Sequence, residues 1–220
     1  AHGVLAVELD TTLLPILEEN LKDYTNVKII NEDVLKLDLD QEVKNHFPWH
    51  TGYKVVANLP YYITTPIVMA LLENQKDIKS MVIMVQQEVA ERMVACPGSK
   101  DYGALSVAVQ YHTVPRIITR VLPASFYPVP QVVSAVVKLN IRQEPPVEVE
   151  NEKLFFQVVK GAFGQRRKTL LNALKHKFSH LKKEELVEIF QACNLDPGRR
   201  GETLSLEEFA LLANGLNQKI

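Results

Sequence analysis

Short apolar runs separated by helix-length stretches dominate this 220-residue chain up to about residue 140. Val4-Leu5-Ala6-Val7, Lys54-Val55-Val56-Ala57 and Met81-Val82-Ile83-Met84-Val85 each read as a buried strand, and Val27-Lys28-Ile29-Ile30 as a short strand. Helices are expected over residues 11–21, from Pro66 onward with Ile67, Ala70 and Leu71 on one stripe, and over residues 87–95, where Pro97-Gly98 stops the last. Such alternation makes an α/β sheet, largely parallel. Residues 116–121 and 132–140 read as two further strands. Residues 100–111 admit helix or strand, because Leu105, Val107 and Val109 also alternate. Gln143-Glu144-Pro145-Pro146 then breaks the pattern. Beyond it the period is purely helical, in stripes such as Phe155, Val158, Val159 and Ala162, or Leu171, Leu174 and Phe178. The last helix opens on a capping box, Ser205 with Glu208. The expected organisation is an α/β domain over residues 1–141 and a small all-α domain over residues 142–220.

Composition excludes several classes. A net charge of −1 argues against a general polyanion binder but leaves room for a local basic patch. No apolar run approaches a membrane span, and Ala1-His2-Gly3-Val4 has no signal-peptide pattern, so a cytoplasmic protein is expected. Cys96 and Cys193 lie far apart and read as reduced, buried thiols. His176 and His180 are four apart on an expected helix; without a carboxylate between them they read as a solvated face, and no metal is expected. Asp38 and Asp40 read as loop charges.

The chemistry concentrates in Asn58-Leu59-Pro60-Tyr61, at the carboxyl end of the third apolar run, where open α/β sheets bind ligands. Thr65-Pro66 reads as the cap and first residue of the next helix. An amide oxygen and a backbone carbonyl, from Leu59 or Pro60, form an acceptor pair for the two N–H bonds of an exocyclic amine. Tyr61 offers a ring for stacking, and Pro60 stiffens the turn. A plain strand-ending turn uses the same residue types. Glu8, ending the first strand, is a candidate for ribose hydroxyls or a solvated strand end; Asp10 reads as a helix cap. Ser125-Phe126-Tyr127-Pro128-Val129-Pro130 holds aromatic rings between prolines in a loop. A flipped base needs a second stacking face opposite Tyr61, which Phe126 or Tyr127 offers, against a hydrophobic plug under the loop.

Asn58-Leu59-Pro60-Tyr61 resembles the amine-binding motif of adenine-N6 methyltransferases that act on ribosomal RNA. Two longer stretches narrow this: residues 124–137, reading ASFYPVPQVVSAVV, and residues 164–172, reading GQRRKTLLN. Together they resemble the small-subunit ribosomal RNA adenine dimethyltransferases over the whole chain. The resemblance implies a Rossmann-like class I methyltransferase sheet, S-adenosylmethionine as cofactor, and small-subunit rRNA in the 30S particle as partner, with a role in ribosome biogenesis. It implies that Asp33 accepts the cofactor's adenine amine while the Val34 N–H meets a ring nitrogen; Asp33 as a turn cap is the other reading. It implies that Phe126, before Tyr127, is the second stacking face, and that Arg166, Arg167 and Lys168, with Arg199 and Arg200, meet RNA, against a solvated helix face; Lys175 and Lys177 add positive charge to the same domain. A monomer is expected.

The sequence departs from the family in one respect. A first strand and a Gly-rich turn that holds the methionine end of the cofactor precede the Glu8 strand in the family, and the chain starts after them. Its glycines offer no substitute, since Gly161 and Gly164 lie in a helical pattern and Gly198 and Gly201 flank a basic turn. The expectation is an N-terminally shortened enzyme, first strand missing, with weak cofactor binding or none. Two rivals remain. One is a large-subunit rRNA adenine methyltransferase of the resistance type, against which residues 165–172 and 198–205 speak. The other is a non-catalytic ribosome-assembly factor that binds rRNA.

Overall fold

A computed structural model describes residues 1–165 and 167–219. Strand β1 (Val4–Glu8) leads through a 3-10 turn (Thr11–Leu13) into helix α1 (Leu14–Leu21), then strand β2 (Val27–Asn31). Asp10 caps that turn, its carboxylate accepting from the N–H and the hydroxyl of Thr12; both bonds hold its pKa below the ordinary carboxylate value. β1 and β2 pair in parallel, Val4 beside Val27 through Glu8 beside Asn31. The Asn31 amide donates to the carbonyls of Glu8 (2.8 Å) and Leu9 (3.2 Å), which fixes the end of β1.

Helix α2 (Leu39–His46) follows, an element the sequence reading lacks. Its cause is local: Asp38 accepts from the Gln41 N–H at 3.0 Å as N-cap, and Leu39 and Val43 supply one buried face. Asp38 is therefore a cap rather than a loop charge. Asp40 is corrected further. It accepts from the Tyr53 hydroxyl (2.8 Å) and from the backbone N–H groups of Lys76 (2.6 Å) and Asp77 (3.3 Å). Three chain segments are thereby clamped to one carboxylate. Burial first, and then the Asp40 hydrogen bond, push the Tyr53 hydroxyl well above its ordinary pKa.

The second sheet holds strands β3 (Tyr53–Asn58), β4 (Ile78–Gln86), β5 (Thr113–Val121) and β6 (Ser134–Ile141) in the order β3-β4-β6-β5. β3 and β4 are parallel; β6 runs antiparallel to both β4 and β5, giving the expected closing pair. Helices α3 (Thr64–Asn74), α4 (Gln87–Val94) and α5 (Ala104–His112) supply the packing, so residues 100–111 resolve as turn and helix. α3 begins one residue before the expected Thr65 cap. A 3-10 turn (Tyr61–Ile63) runs straight into it, and Thr64 donates its hydroxyl to the Pro60 carbonyl at 3.0 Å. Pro66 still lies in the first helical turn, where its missing N–H costs nothing. Ile67, Val68 and Leu71 of α3, Met81, Ile83 and Val85 of β4, and Ala135, Val137 and Leu139 of β6 form one apolar core. No hydrogen-bonded pairing joins β1 to β3 among the described residues, and a cleft lies between them.

Helices α6 (Glu152–Gly164), α7 (Leu170–Lys177), α8 (Lys183–Ala192) and α9 (Leu206–Asn217) complete the chain. The Ser205–Glu208 capping box forms as expected. α7 presents Leu170, Ala173 and Leu174 inward, whereas Leu171 of the expected stripe is only half-buried. α7 also ends at Lys177, so His176 and His180 do not share a helix face. Cys96 is exposed in the turn after α4, not buried; Cys193 is half-buried, and burial pushes its thiol pKa up.

The second apolar core crosses the expected boundary at residue 142. Ala95, Tyr102, Val107 and Tyr111 join Phe155, Val158, Leu174, Phe190 and Phe209 in it. The Gly98 N–H also donates to the Glu202 carbonyl at 2.7 Å. Tyr102 packs edge-on against Phe163, 1% exposed, yet its hydroxyl meets no hydrogen-bond partner among the described residues. An unsatisfied buried hydroxyl is costly. Tyr102→Phe is therefore expected to hold or raise the melting temperature in calorimetry, by up to about 1 kcal/mol of stability; a fall of several degrees would reveal a partner for that hydroxyl.

Candidate functional site

The Asn58–Tyr61 segment is held from below. The Leu59 side chain is buried in the sheet core, and its N–H donates to the Met84 carbonyl at 3.2 Å. This bond extends the β3–β4 ladder one residue past the strand and keeps the motif on the sheet's end. The Pro60 carbonyl is spent locally: it accepts the Ile63 N–H (3.2 Å) as well as the Thr64 hydroxyl. No described residue donates to the Leu59 carbonyl or to the Asn58 side-chain amide, and Asn58 is exposed. Of the two carbonyls weighed for an acceptor pair, the geometry leaves Leu59 open and Pro60 occupied.

Two clefts meet on this segment. One, of about 320 Å³, lies between β1 and β3 and brings Glu8, Asp33 and Val34 to one side and Asn58 to the other, with Leu5, Val7 and Ile63 as apolar lining. One Glu8 oxygen accepts the Asp10 N–H at 2.8 Å, and one Asp33 oxygen accepts the Leu35 N–H at 3.0 Å. Asp33 is thus a turn cap, as its alternative reading had it. Each carboxylate keeps a second oxygen with no hydrogen bond among the described residues. That acceptor set suits a nucleoside, with one carboxylate for a diol and one for an amine. The second cleft, of about 360 Å³, is lined by Asn58, Leu59, Pro60 and Tyr61 on one wall and by Phe126, Tyr127, Pro128 and Pro130 on the other. Asn58, Leu59 and Pro60 border both clefts.

Phe126 is half-buried and follows a 3-10 turn (Pro123–Ser125); Tyr127 is wholly exposed. Sequence reasoning passed over Ser134, the fully buried first residue of β6, whose Oγ lies 2.5 Å from the Tyr61 hydroxyl. The available signal was a hydroxyl directly ahead of the apolar run Ala135-Val136-Val137.

The structural comparisons fix the architecture. A dimethyladenosine transferase from Plasmodium falciparum superposes with a TM-score of 0.78 at 22% identity, covering 99% of this chain and 82% of that one. The 23S rRNA methyltransferase ErmE superposes at 0.67 and 24% identity, covering 99% and 83%. Both establish a Rossmann-like methyltransferase fold with an appended helical domain. The sequence profile described as Ribosomal RNA adenine dimethylase matches residues 1–212. The chain belongs to that family. A Ribosomal RNA small subunit methyltransferase A from Alkaliphilus oremlandii is 56% identical over 220 residues, which is all of this chain and 76% of the relative. One of the same name from Clostridioides difficile is 49% identical, covering 100% and 75%.

The basic residues sort unevenly. Arg166 lies outside the described residues. Arg167, Lys168 and Arg200 are exposed and pair with no carboxylate among the described residues. The Leu170 N–H donates to the Arg199 carbonyl (2.7 Å) and the Leu171 N–H to that of Pro197 (3.2 Å), which draws the Arg200 turn against the start of α7 beside Lys168. Arg199 itself is engaged within the chain. Its guanidinium forks onto Glu208, with Nη2–Oε2 at 2.9 Å, and also donates to the Thr203 hydroxyl and carbonyl. The pair raises the Arg199 pKa and holds the Glu208 carboxyl below its ordinary value. Lys175 is likewise spent on the carbonyls of Ser179 and Leu181. Among the described residues no cluster suits a metal ion and no helix is long and apolar enough to cross a membrane.

Proposed function

We propose that this chain transfers methyl groups from S-adenosylmethionine to N6 of two adjacent adenosines near the 3′ end of small-subunit ribosomal RNA. The observation that carries the reading is the shared wall: Asn58, Leu59 and Pro60 border both a nucleoside-suited cleft and an aromatic-lined cleft. Relatives at 49–56% identity, named for the small subunit, favour it over a large-subunit substrate.

S-adenosylmethionine, when bound, would supply an electrophilic methyl group on a sulfonium, the methyl–sulfur bond breaking to leave the neutral thioether S-adenosylhomocysteine. Glu8 holds the ribose diol and Asp33, with the Val34 N–H, the cofactor's adenine. The Asn58 amide oxygen and the Leu59 carbonyl accept the two N–H bonds of the target amine. This draws its lone pair out of conjugation and towards the first cleft. Tyr61 and Phe126 stack on the extruded base, each ring worth about 1–3 kcal/mol. The attacking nitrogen loses a proton to solvent after transfer, and no protein nucleophile takes part. Residues 1–141 carry this chemistry, and residues 142–220 engage RNA through Arg167, Lys168 and Arg200, with Arg166 the remaining candidate.

The test is incubation with labelled S-adenosylmethionine and 30S particles lacking the modification. N6,N6-dimethyladenosine in the digest is the expected product; label on another base, or particle binding with no transfer, would overturn the reading. In the same assay Arg167→Glu with Lys168→Glu is expected to weaken particle binding. Its salt dependence should flatten by about 0.7–0.9 log units per log salt for each phosphate no longer neutralised. An unchanged slope would remove these residues from the interface.

A further inference from the structure

We propose that Ser134 is a positioning residue for the base cleft, holding the Tyr61 ring at the tilt the target base requires; this deepens the methyltransferase reading and rests on it. The Tyr61 hydroxyl and the Ser134 Oγ lie 2.5 Å apart across 73 residues of chain. Ser134 is fully buried and cannot move freely: it pairs with Gln86 of β4 on one side and Val121 of β5 on the other. Tyr61 has no such support of its own. It sits in a single 3-10 turn beyond the end of β3, and Tyr62, next in that turn, is 82% exposed. The hydrogen bond ties this short turn to a strand paired on both sides.

The anchor serves both walls of the cleft. Tyr61 is joined to Ser134 by the hydroxyl, and the Phe126 loop runs through Val133 into Ser134 by the chain itself. The Val133 carbonyl accepts the Gln87 N–H at 2.9 Å, which fixes that approach. Tyr61 follows directly on Asn58, Leu59 and Pro60. A change in its tilt shifts a stacked base relative to the Asn58 and Leu59 oxygens. Displacement on the ångström scale costs rate steeply, and RNA binding elsewhere on the molecule is untouched.

The test compares Ser134→Ala, Tyr61→Phe, the double variant and Ser134→Thr, each checked for an unchanged melting temperature. Ser134→Ala is expected to lower kcat about tenfold with KM for 30S particles within twofold. Tyr61→Phe keeps the ring and should do the same, and the double variant should be no worse than either, because both remove one link. Ser134→Thr, which keeps the hydroxyl, should recover most of the rate. Multiplying effects in the double variant, or wild-type kinetics in Ser134→Ala, would overturn the proposal. A second arm needs no methyl transfer: an rRNA fragment with 2-aminopurine at the target adenosine should be quenched on binding, and equally less so by Ser134→Ala and Tyr61→Phe. If the unaltered chain quenches this probe but transfers no methyl group to 30S particles, the functional reading fails while this arm still judges Ser134. Wild-type quenching by Ser134→Ala, or none by the unaltered chain, overturns the positioning role. Should Ser134→Ala fail to fold, Tyr61→Phe carries both arms.

Discussion

Asn58→Ala is expected to lower the rate of methyl transfer by on the order of 10²–10³ while leaving 30S affinity within about twofold. The magnitude follows from where the interaction acts. In the ground state the adenine amine is nearly neutral, and an N–H bond to Asn58 replaces one to water at little net gain. As the nitrogen attacks, positive charge builds on it and its N–H bonds strengthen. The Asn58 oxygen and the Leu59 carbonyl are then worth most, and an interaction stronger in the transition state than in the ground state appears in kcat. Alanine removes one of the two acceptors and leaves the other, since Leu59 stays tied to Met84 and buried in the core. In the proposed function, affinity rests on base stacking and on distant basic residues. Single-turnover transfer and equilibrium particle binding, measured on the same variant, separate the two quantities. Equal loss in both would mean that Asn58 supports the loop rather than the amine.

Much of this site was legible because its residues are local and chemically unambiguous. A strand ending in Asn58-Leu59-Pro60-Tyr61 announces a polar turn at a sheet's carboxyl edge, and a short apolar run before it needs no tertiary knowledge to be seen. What escaped depends on partners far away in the chain. Asp40 looks like any loop acid until Tyr53, Lys76 and Asp77 arrive to donate to it. Arg199 and Arg200 are indistinguishable by sequence, yet Glu208 captures one and leaves the other in solvent. Ser134 is a single hydroxyl at the head of an apolar run, and only the fold puts Tyr61 above it. The choice between the Leu59 and Pro60 carbonyls needed hydrogen-bond accounting: Ile63 and Thr64 consume one of them, and neither shows a sequence signal for doing so.

The boundary at residue 142 was drawn from Pro145-Pro146 and a change of period, and both are real features of the chain, yet the packing runs across it. Phe155 of α6 is fully buried, and its ring centroid lies 5.0 Å from that of Tyr111 on α5. Tyr111 in turn donates to Glu152 at 3.4 Å, and burial, with Glu152 beside it, pushes its hydroxyl pKa up to about 12. Phe155→Ala is therefore expected to cost about 3–5 kcal/mol, since it empties a packed site that rigid neighbours on two elements cannot refill. For a chain of this size that is a fall in melting temperature of roughly 6–20 °C. The chain has one tryptophan, Trp49, which packs edge-on against Phe47 beyond α2 and far in sequence from Phe155. Its fluorescence reports the α/β region, and far-ultraviolet dichroism reports chiefly the helices. If α5 and α6 share one core, as the burial of Tyr102, Val107 and Tyr111 requires, both signals must fall together in the variant. A dichroism transition that drops while the Trp49 transition stays in place would make the helical region an independent unit, and α5 only its neighbour.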